Sequence, residues 1–377
     1  MSNLRKSLSS MSASLVAILA GLVAGFVILL FSNPANAGKG LLTILIGGWN
    51  NGMKGVGQVL YYATPIIMTG LAVGFAFKTG MFNIGATGQL MVGGFVSIYV
   101  GVTWTFLPGA LHWIVALLMG MLAGMAWGMI VGVFKALLNV HEVITSIMLN
   151  YIALYGINYL VKNSNLFDSL RNQTVNVAAT AVIPKAGLDK IFYITKGRLN
   201  DVSSVNAGIL IAIALAILMY ILLNKTTFGF ELKACGYNRH ASRYAGISEN
   251  RAIITSMAIA GGLSGIAGAL MYLAPASGLH IHMEEVLAAQ GFTGIAVALL
   301  GMSNPIGIIF SGLFIAHITV GGFYLQSLKY MKEIIEVIIG LIIYFSAFSL
   351  LVRDLIAKAG KRRAKKGNQP SKQEAVS

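Results

Sequence analysis

The stretch NKTTFGFELKACGYNRHASRYAGISENR, Asn224 to Arg251, decides the reading of this chain, because it is a charged island between two uncharged apolar runs, Val205–Leu223 and Ala252–Leu273. Each run has about 20 residues, enough to cross ~30 Å of hydrocarbon as a helix. A helix is also the form that satisfies its own backbone polar groups in lipid. Within the island, Gly229, Gly236 and Gly246 punctuate a short amphipathic pattern. A polar loop held between two crossings in this way reads as a surface that a soluble partner grips.

The same alternation runs outward in both directions. Of 377 residues 56% are hydrophobic and 10% are charged, with a mean hydropathy of +0.78; a soluble domain carries about a quarter charged residues. Further apolar runs are Ala13–Phe31, Val56–Phe77, Ile84–Val102, Leu111–Phe134, Val143–Val161, Gly291–Met302 with its flanks, Ile306–Phe323 and Ile334–Val352. The pattern predicts an all-α integral membrane protein with about ten transmembrane helices. It forms one polytopic domain over residues 1–352, followed by a basic tail over 353–377. The first run follows Arg5 and Lys6 and precedes Ala35-Asn36-Ala37, as a secretory signal would. Its core from Leu15 to Phe31 exceeds the roughly 7 to 15 residues of a signal core, so an uncleaved first helix is expected.

Charge sets the orientation. Arg353, Lys358, Lys361, Arg362, Arg363, Lys365, Lys366 and Lys372 place the tail in the cytoplasm by the positive-inside bias, and Arg5 and Lys6 agree. An even number of crossings then puts both termini inside, the 224–252 loop inside and the 162–204 loop outside. Lys162, Arg171, Lys185, Lys190, Lys196 and Arg198 fit that last placement poorly, but long loops translocate largely regardless of charge. The net charge of +15 therefore calls for no nucleic acid. Lys361–Lys366 could meet anionic lipid headgroups, and a solvated end that fixes topology is the plainer reading. Cys235, the single cysteine, excludes an internal disulfide and is expected to be reduced.

Two polar constellations interrupt the apolar runs. Gly80-Met81-Phe82-Asn83-Ile84-Gly85-Ala86-Thr87-Gly88-Gln89 suggests a broken helix near the bilayer midplane, tolerated where protein or a watery cavity covers it. Asn83 and Thr87 would share a face if its second half is helical; a tight capped turn is the alternative. In His141–Tyr151, Glu142, Thr145, Ser146 and Asn150 recur at helical spacing, and such groups glue helices or touch cargo. Glu142 reads as structural or gating, and Asn150, deeper in, as cargo-facing. The candidate substrate path is thus Asn83, Thr87, Gln89, Asn150 and Tyr151. Leu263–Ala269 offers a small-residue surface for close packing. His280-Ile281-His282-Met283-Glu284-Glu285 could be a transition-metal site or an ordinary water-facing pattern. No cysteine or spaced third histidine completes a closed set, so no metal is assigned.

Absences narrow the function. The chain has no GxxxxGK[ST] phosphate loop, no G-x-S-x-G, no H-E-x-x-H and no C-x-x-C, so it is not read as an enzyme. The partner gripping the polar island would most economically be an ATPase. Carboxylates lie mostly in loops or near helix ends, which leaves little for ion coupling by a stand-alone secondary carrier or channel.

Gly80–Gln89, Glu142–Tyr151 and Phe230–Ile247, in that order, resemble the membrane permease subunits of bacterial ABC importers of the branched-chain amino acid and ribose-type group, nearest to the nucleoside branch. The similarity runs from about Gln58 to Val352. It implies an importer permease of the bacterial cell membrane, most specifically for nucleosides, with simple sugars or branched-chain amino acids as the alternative cargo. The resemblance makes the segment matching Phe230–Ile247 the helix that docks into the ATPase, with Glu231, Gly236, Asn238, Arg239, Arg243, Tyr244 and Gly246 as coupling residues. It also implies a second, related permease chain, a tandem-cassette ATPase that carries ATP and Mg, and an extracytoplasmic substrate-binding lipoprotein. No cofactor is then held by this chain.

Overall fold

The computed structural model describes residues 2–275 and 278–347. The described residues form thirteen α-helices: α1 Ser2–Ser32, α2 Ala37–Ile46, α3 Gly52–Lys78, α4 Ala86–Thr103, α5 Gly109–Leu138, α6 Glu142–Lys162, α7 Gly208–Lys225, α8 Thr227–Tyr237, α9 Arg239–Tyr244, α10 Glu249–Tyr272, α11 Ala289–Leu300, α12 Pro305–Tyr324 and α13 Lys332–Ala347. Two short antiparallel hairpins interrupt them, β1 Phe167–Asp168 with β2 Gln173–Thr174, and β3 Tyr193–Lys196 with β4 Leu199–Val202.

The chain is an all-α membrane protein. Among the described residues, seven helical stretches are long and apolar enough to cross a bilayer: Pro34–Lys78, Ala86–Thr103, Gly109–Leu138, Glu142–Lys162, Gly208–Lys225, Glu249–Tyr272 and Pro305–Leu328. Of the other expected crossings, the first falls in α1. The Gly291–Met302 run is α11, whose 12 residues reach about 18 Å, short of a bilayer core. The last overlaps α13 and continues past Ala347, outside the described residues, as does the basic tail at 353–377.

α3 and α10 are the central pair, with 83% of the most apolar windows of their spans buried, whereas α5, α6 and α7 bury only 33% of theirs. The outward faces of the latter stay apolar, with Leu118, Leu122, Ile152, Leu210, Leu218 and Ile221 exposed. An apolar exterior suits a hydrocarbon solvent, which gives helices no hydrophobic reason to associate, so contact has to come from close packing. Small residues supply it. On α5, Gly124 and Gly128 recur at one-turn spacing, and a methyl at either would lie 2.6 Å from the Cα of Gly265 or 2.9 Å from that of Gly261 on α10. The Leu263–Ala269 surface therefore packs backbone to backbone.

At one end of the bundle, residues between α6 and α7 fold over the helix ends as a cap. The Ala178 amide donates to Gly101 O at 2.9 Å, that of Ile183 to Leu273 O at 3.0 Å and that of Val177 to Leu279 O at 3.1 Å. Buried His112 on α5 ties in through Thr180 Oγ1 at 2.8 Å and Val100 O at 3.1 Å. The β3–β4 hairpin is anchored on α3 by Asp201, which meets Lys54 Nζ at 2.7 Å and Lys196 Nζ at 2.9 Å. Hydrogen bonds from the two ammonium groups hold the Asp201 carboxyl below its ordinary range. At the opposite end of the bundle lies the polar island.

Candidate functional site

The island folds as two short helices rather than one. Thr226 caps α8, its hydroxyl accepting from the Gly229 amide at 3.0 Å. Asn238 then breaks the helix and caps the next, its Oδ1 accepting from the Ala241 amide at 3.0 Å. Gly246, at φ +81°, makes the left-handed turn into α10. One stripe of α8, Gly229, Leu232 and Cys235, is buried against the bundle, and burial pushes the Cys235 thiol up from its usual range. On the opposite side Phe230, Tyr237 and Tyr244 are exposed, the last two at 88% and 95%.

The coupling candidates divide accordingly. Glu231, Arg243, Tyr244 and Gly246 face outward, and Glu231 and Gly246 border a groove of about 480 Å³ between α8 and the start of α10. Asn238 is spent on the cap. Gly236 and Arg239 turn inward. Arg239 lies 3.7 Å from Glu249 and 3.6 Å from the Met81 sulfur. Gly236 meets the 79–85 connection backbone to backbone: a methyl on it would stand 2.8 Å from Gly80 N. Gly80 itself has φ +76°, and a methyl there would stand 2.7 Å from the Gly236 Cα.

That connection is the glycine-punctuated stretch between α3 and α4. It is non-helical over 79–85, so Asn83 lies outside α4 and does not share a helix face with Thr87. Asn83 and Gln89 instead exchange two amide hydrogen bonds, at 2.9 and 3.1 Å, with both side chains fully buried. Gly85 precedes α4 without a capping side chain. The cap comes from another helix: Asn150 Oδ1 accepts from the Gly88 amide at 2.9 Å, and its Nδ2 donates to Ile84 O at 3.1 Å. Asn150 thereby satisfies one of the orphan amides of the helix start. The Thr87 hydroxyl is buried with no hydrogen-bond partner and lies against Gly291 of α11. Tyr151 is 46% exposed on the open side of α6 and stacks on Tyr155, with ring centroids 6.3 Å apart and planes 19° apart. Tyr159, one turn further on, is exposed as well.

Sequence reasoning passed over Tyr155 and Tyr159, although their four-residue spacing from Tyr151 was visible. It also passed over Lys135, which reaches Glu142 at 2.9 Å across the turn between α5 and α6; these partners lie on different helices, so no helical spacing links them. The Thr79 and Ser256 hydroxyls are hydrogen-bonded, joining the connection to α10.

Among the described residues, seven helical stretches of membrane length with a capped pair of short polar helices at one end define a multi-pass membrane protein. The chain belongs to the family described as branched-chain amino acid transport system / permease component, whose model matches residues 55–347. It is 36% identical to the guanosine ABC transporter permease protein NupP of Bacillus subtilis, over 95% of this chain and 99% of that one. It is 32% identical to the nucleoside ABC transporter permease protein NupB of Lactococcus lactis, over 96% and 97%. The glucose ABC transporter permease protein TsgB13 of Haloferax volcanii is 31% identical over 77% of this chain and 75% of its own. No solved structure matches the chain.

Proposed function

We propose that this chain is the permease subunit of an ATP-driven importer of nucleosides, forming half of a two-permease pore that works by alternating access. The observation that carries the reading is the near full-length similarity to two permeases named for guanosine and nucleosides. The permease domain is residues 1–352, with the 224–252 segment, both termini and the basic 353–377 tail cytoplasmic and the 162–204 loop extracytoplasmic. Its partners are a second homologous permease, a tandem-cassette ATPase holding ATP and Mg, and an extracytoplasmic binding lipoprotein. The outward side chains Glu231, Arg243 and Tyr244 meet the ATPase, while Gly236, Asn238, Arg239 and Gly246 set the shape and seating of the two short helices.

The substrate path follows the open side of α6 past Tyr151, with the unpaired hydroxyl of Thr87 buried beside it at the start of α4. A nucleobase can stack on a tyrosine ring whatever its edge chemistry, which suits cargo of one shape and several hydrogen-bonding patterns. Asn83, Gln89 and Asn150 stand behind that face and hold the start of α4 in position.

Uptake of labelled guanosine by the four-component complex in liposomes tests the proposal. Transport should require ATP hydrolysis, survive a proton ionophore at constant ATP, and be competed by other nucleosides but not by glucose or leucine. Robust exchange by the purified chain alone would instead identify a secondary carrier. Competition by glucose or leucine would move the cargo to the sugar or amino acid branch.

A further inference from the structure

The segment from Ile281 to Met283 lies extended across the cap, entered through a turn at Leu279 with φ +63°. The Thr174 amide donates to Ile281 O at 2.9 Å, the Met283 amide to Asn172 O at 2.9 Å, and Gln173 bridges to His282. In an extended chain side chains alternate between faces. Ile281 and Met283 are accordingly buried, and His280 and His282 share the outer face. Their Nε2 atoms converge to 3.2 Å, with the ring planes at 85°.

The hydrogen bonds fix the proton on one ring. Gly278 O can only accept, so His280 donates to it from Nδ1 at 2.7 Å, with Asn176 Oδ1 a second acceptor at 3.2 Å. The Nε2 lone pair of neutral His280 then points at His282. This is the arrangement of a metal-bound imidazole, whose other nitrogen is oriented by a carbonyl. A cation about 2.0–2.1 Å from each nitrogen, the usual zinc–imidazole distance, would subtend about 100° between atoms this far apart. That angle fits tetrahedral or square-based coordination.

We propose that His280 and His282 form an open two-imidazole site for a divalent transition cation, Cu²⁺, Ni²⁺ or Zn²⁺. Binding requires the proton that His282 shares through Nε2 to shift to its Nδ1; the proton count of the pair is unchanged. Among the described residues no group of three or more His, Cys, Asp or Glu gathers around a point, so water fills the remaining positions. Imidazole ligands favour these metals over Mg²⁺ and Ca²⁺, which take oxygen. The cation would clip His280 to His282 on the outer face of the segment that lies on the cap.

Isothermal titration of Cu²⁺ and Ni²⁺ into the full chain in nanodiscs, with any affinity tag removed, tests the site. The wild type should bind one equivalent more than His280→Ala/His282→Ala, and either single variant should bind that equivalent about tenfold more weakly or worse. Bound Cu²⁺ should show spin coupling to two imidazole nitrogens, lost in the double variant, and Mg²⁺ should not compete. Equal stoichiometry and affinity in wild type and double variant, or a spectrum unchanged between them, would overturn the proposal and leave a hydrogen-bonded histidine pair only.

Discussion

Replacing Gly236 by alanine probes the seam between α8 and the α3–α4 connection. The added methyl would stand 2.8 Å from Gly80 N and 2.9 Å from both Lys78 O and the Thr79 carbonyl carbon. Ordinary carbon contacts lie near 3.5–4.0 Å, so the two segments must part by about 0.7–1 Å. All three neighbours are backbone, and no side chain can rotate away to relieve the crowding. Overpacking of this kind costs roughly 1–3 kcal/mol. If that cost falls on the docking of α8, the undocked population rises about 5- to 150-fold. Cys235, adjacent to Gly236 and 3% exposed, reports it, because it is the single cysteine of the chain and its thiol is pushed up by burial. Maleimide labelling in nanodiscs should therefore be slow in the wild type and faster in Gly236→Ala by a factor in that range. Gly80→Ala should label faster still, since it also strains a φ of +76° by about 1–2 kcal/mol. Labelling of both variants at the wild-type rate, with unchanged thermal stability, would refute the seam.

Asn150→Leu should lower thermal stability by roughly 1–3 kcal/mol, because the Gly88 amide and Ile84 carbonyl are left buried and unpaired; uptake should fall in parallel with complex yield, and uptake lost at full stability would make Asn150 a cargo contact instead. Arg243→Glu with Tyr244→Ala, both on exposed positions, should abolish pull-down of the ATPase without moving the melting temperature, and undiminished capture would misplace the interface. For Asp201, a carboxyl lowered from 3.8 stabilises the hairpin anchor above that value and loses the contribution only as pH falls through its lower folded value. Hydrogen exchange in β3–β4, corrected for intrinsic rate, should thus match at pH 7 and 5 and rise below about pH 4; Lys54→Ala should raise it already at pH 7.

The membrane class was legible because span length and apolarity are local properties, visible in each run by itself. The polar island was legible for the same reason. Its division into α8 and α9 was not, since Asn238 can equally end one helix or cap the next, and only the Ala241 amide at its Oδ1 decides. The Asn83–Gln89 exchange and the Asn150 cap were hidden for a different reason: their partners are set by how helices cross, and no spacing encodes that. Arg239, placed among the coupling residues by the family resemblance, is drawn in by Met81 and Glu249. The cap over 163–207 was expected only as a loop, because strands of two and four residues are too short to show alternation.

That cap fastens the ends of α4, α5 and α10 to one another, by backbone hydrogen bonds to Gly101 and Leu273 and by the side-chain bond between His112 and Thr180. Those three helices cannot spread at the capped end, which makes it the fulcrum of any tilting motion. A tilt of about 5° over ~30 Å of helix moves the far end by about 3 Å. The largest excursions of these helices therefore fall at the end that carries α8 and α9. Cross-linking across the cap should leave a tilting motion free, whereas the same bond placed between α8 and the start of α4 should arrest it.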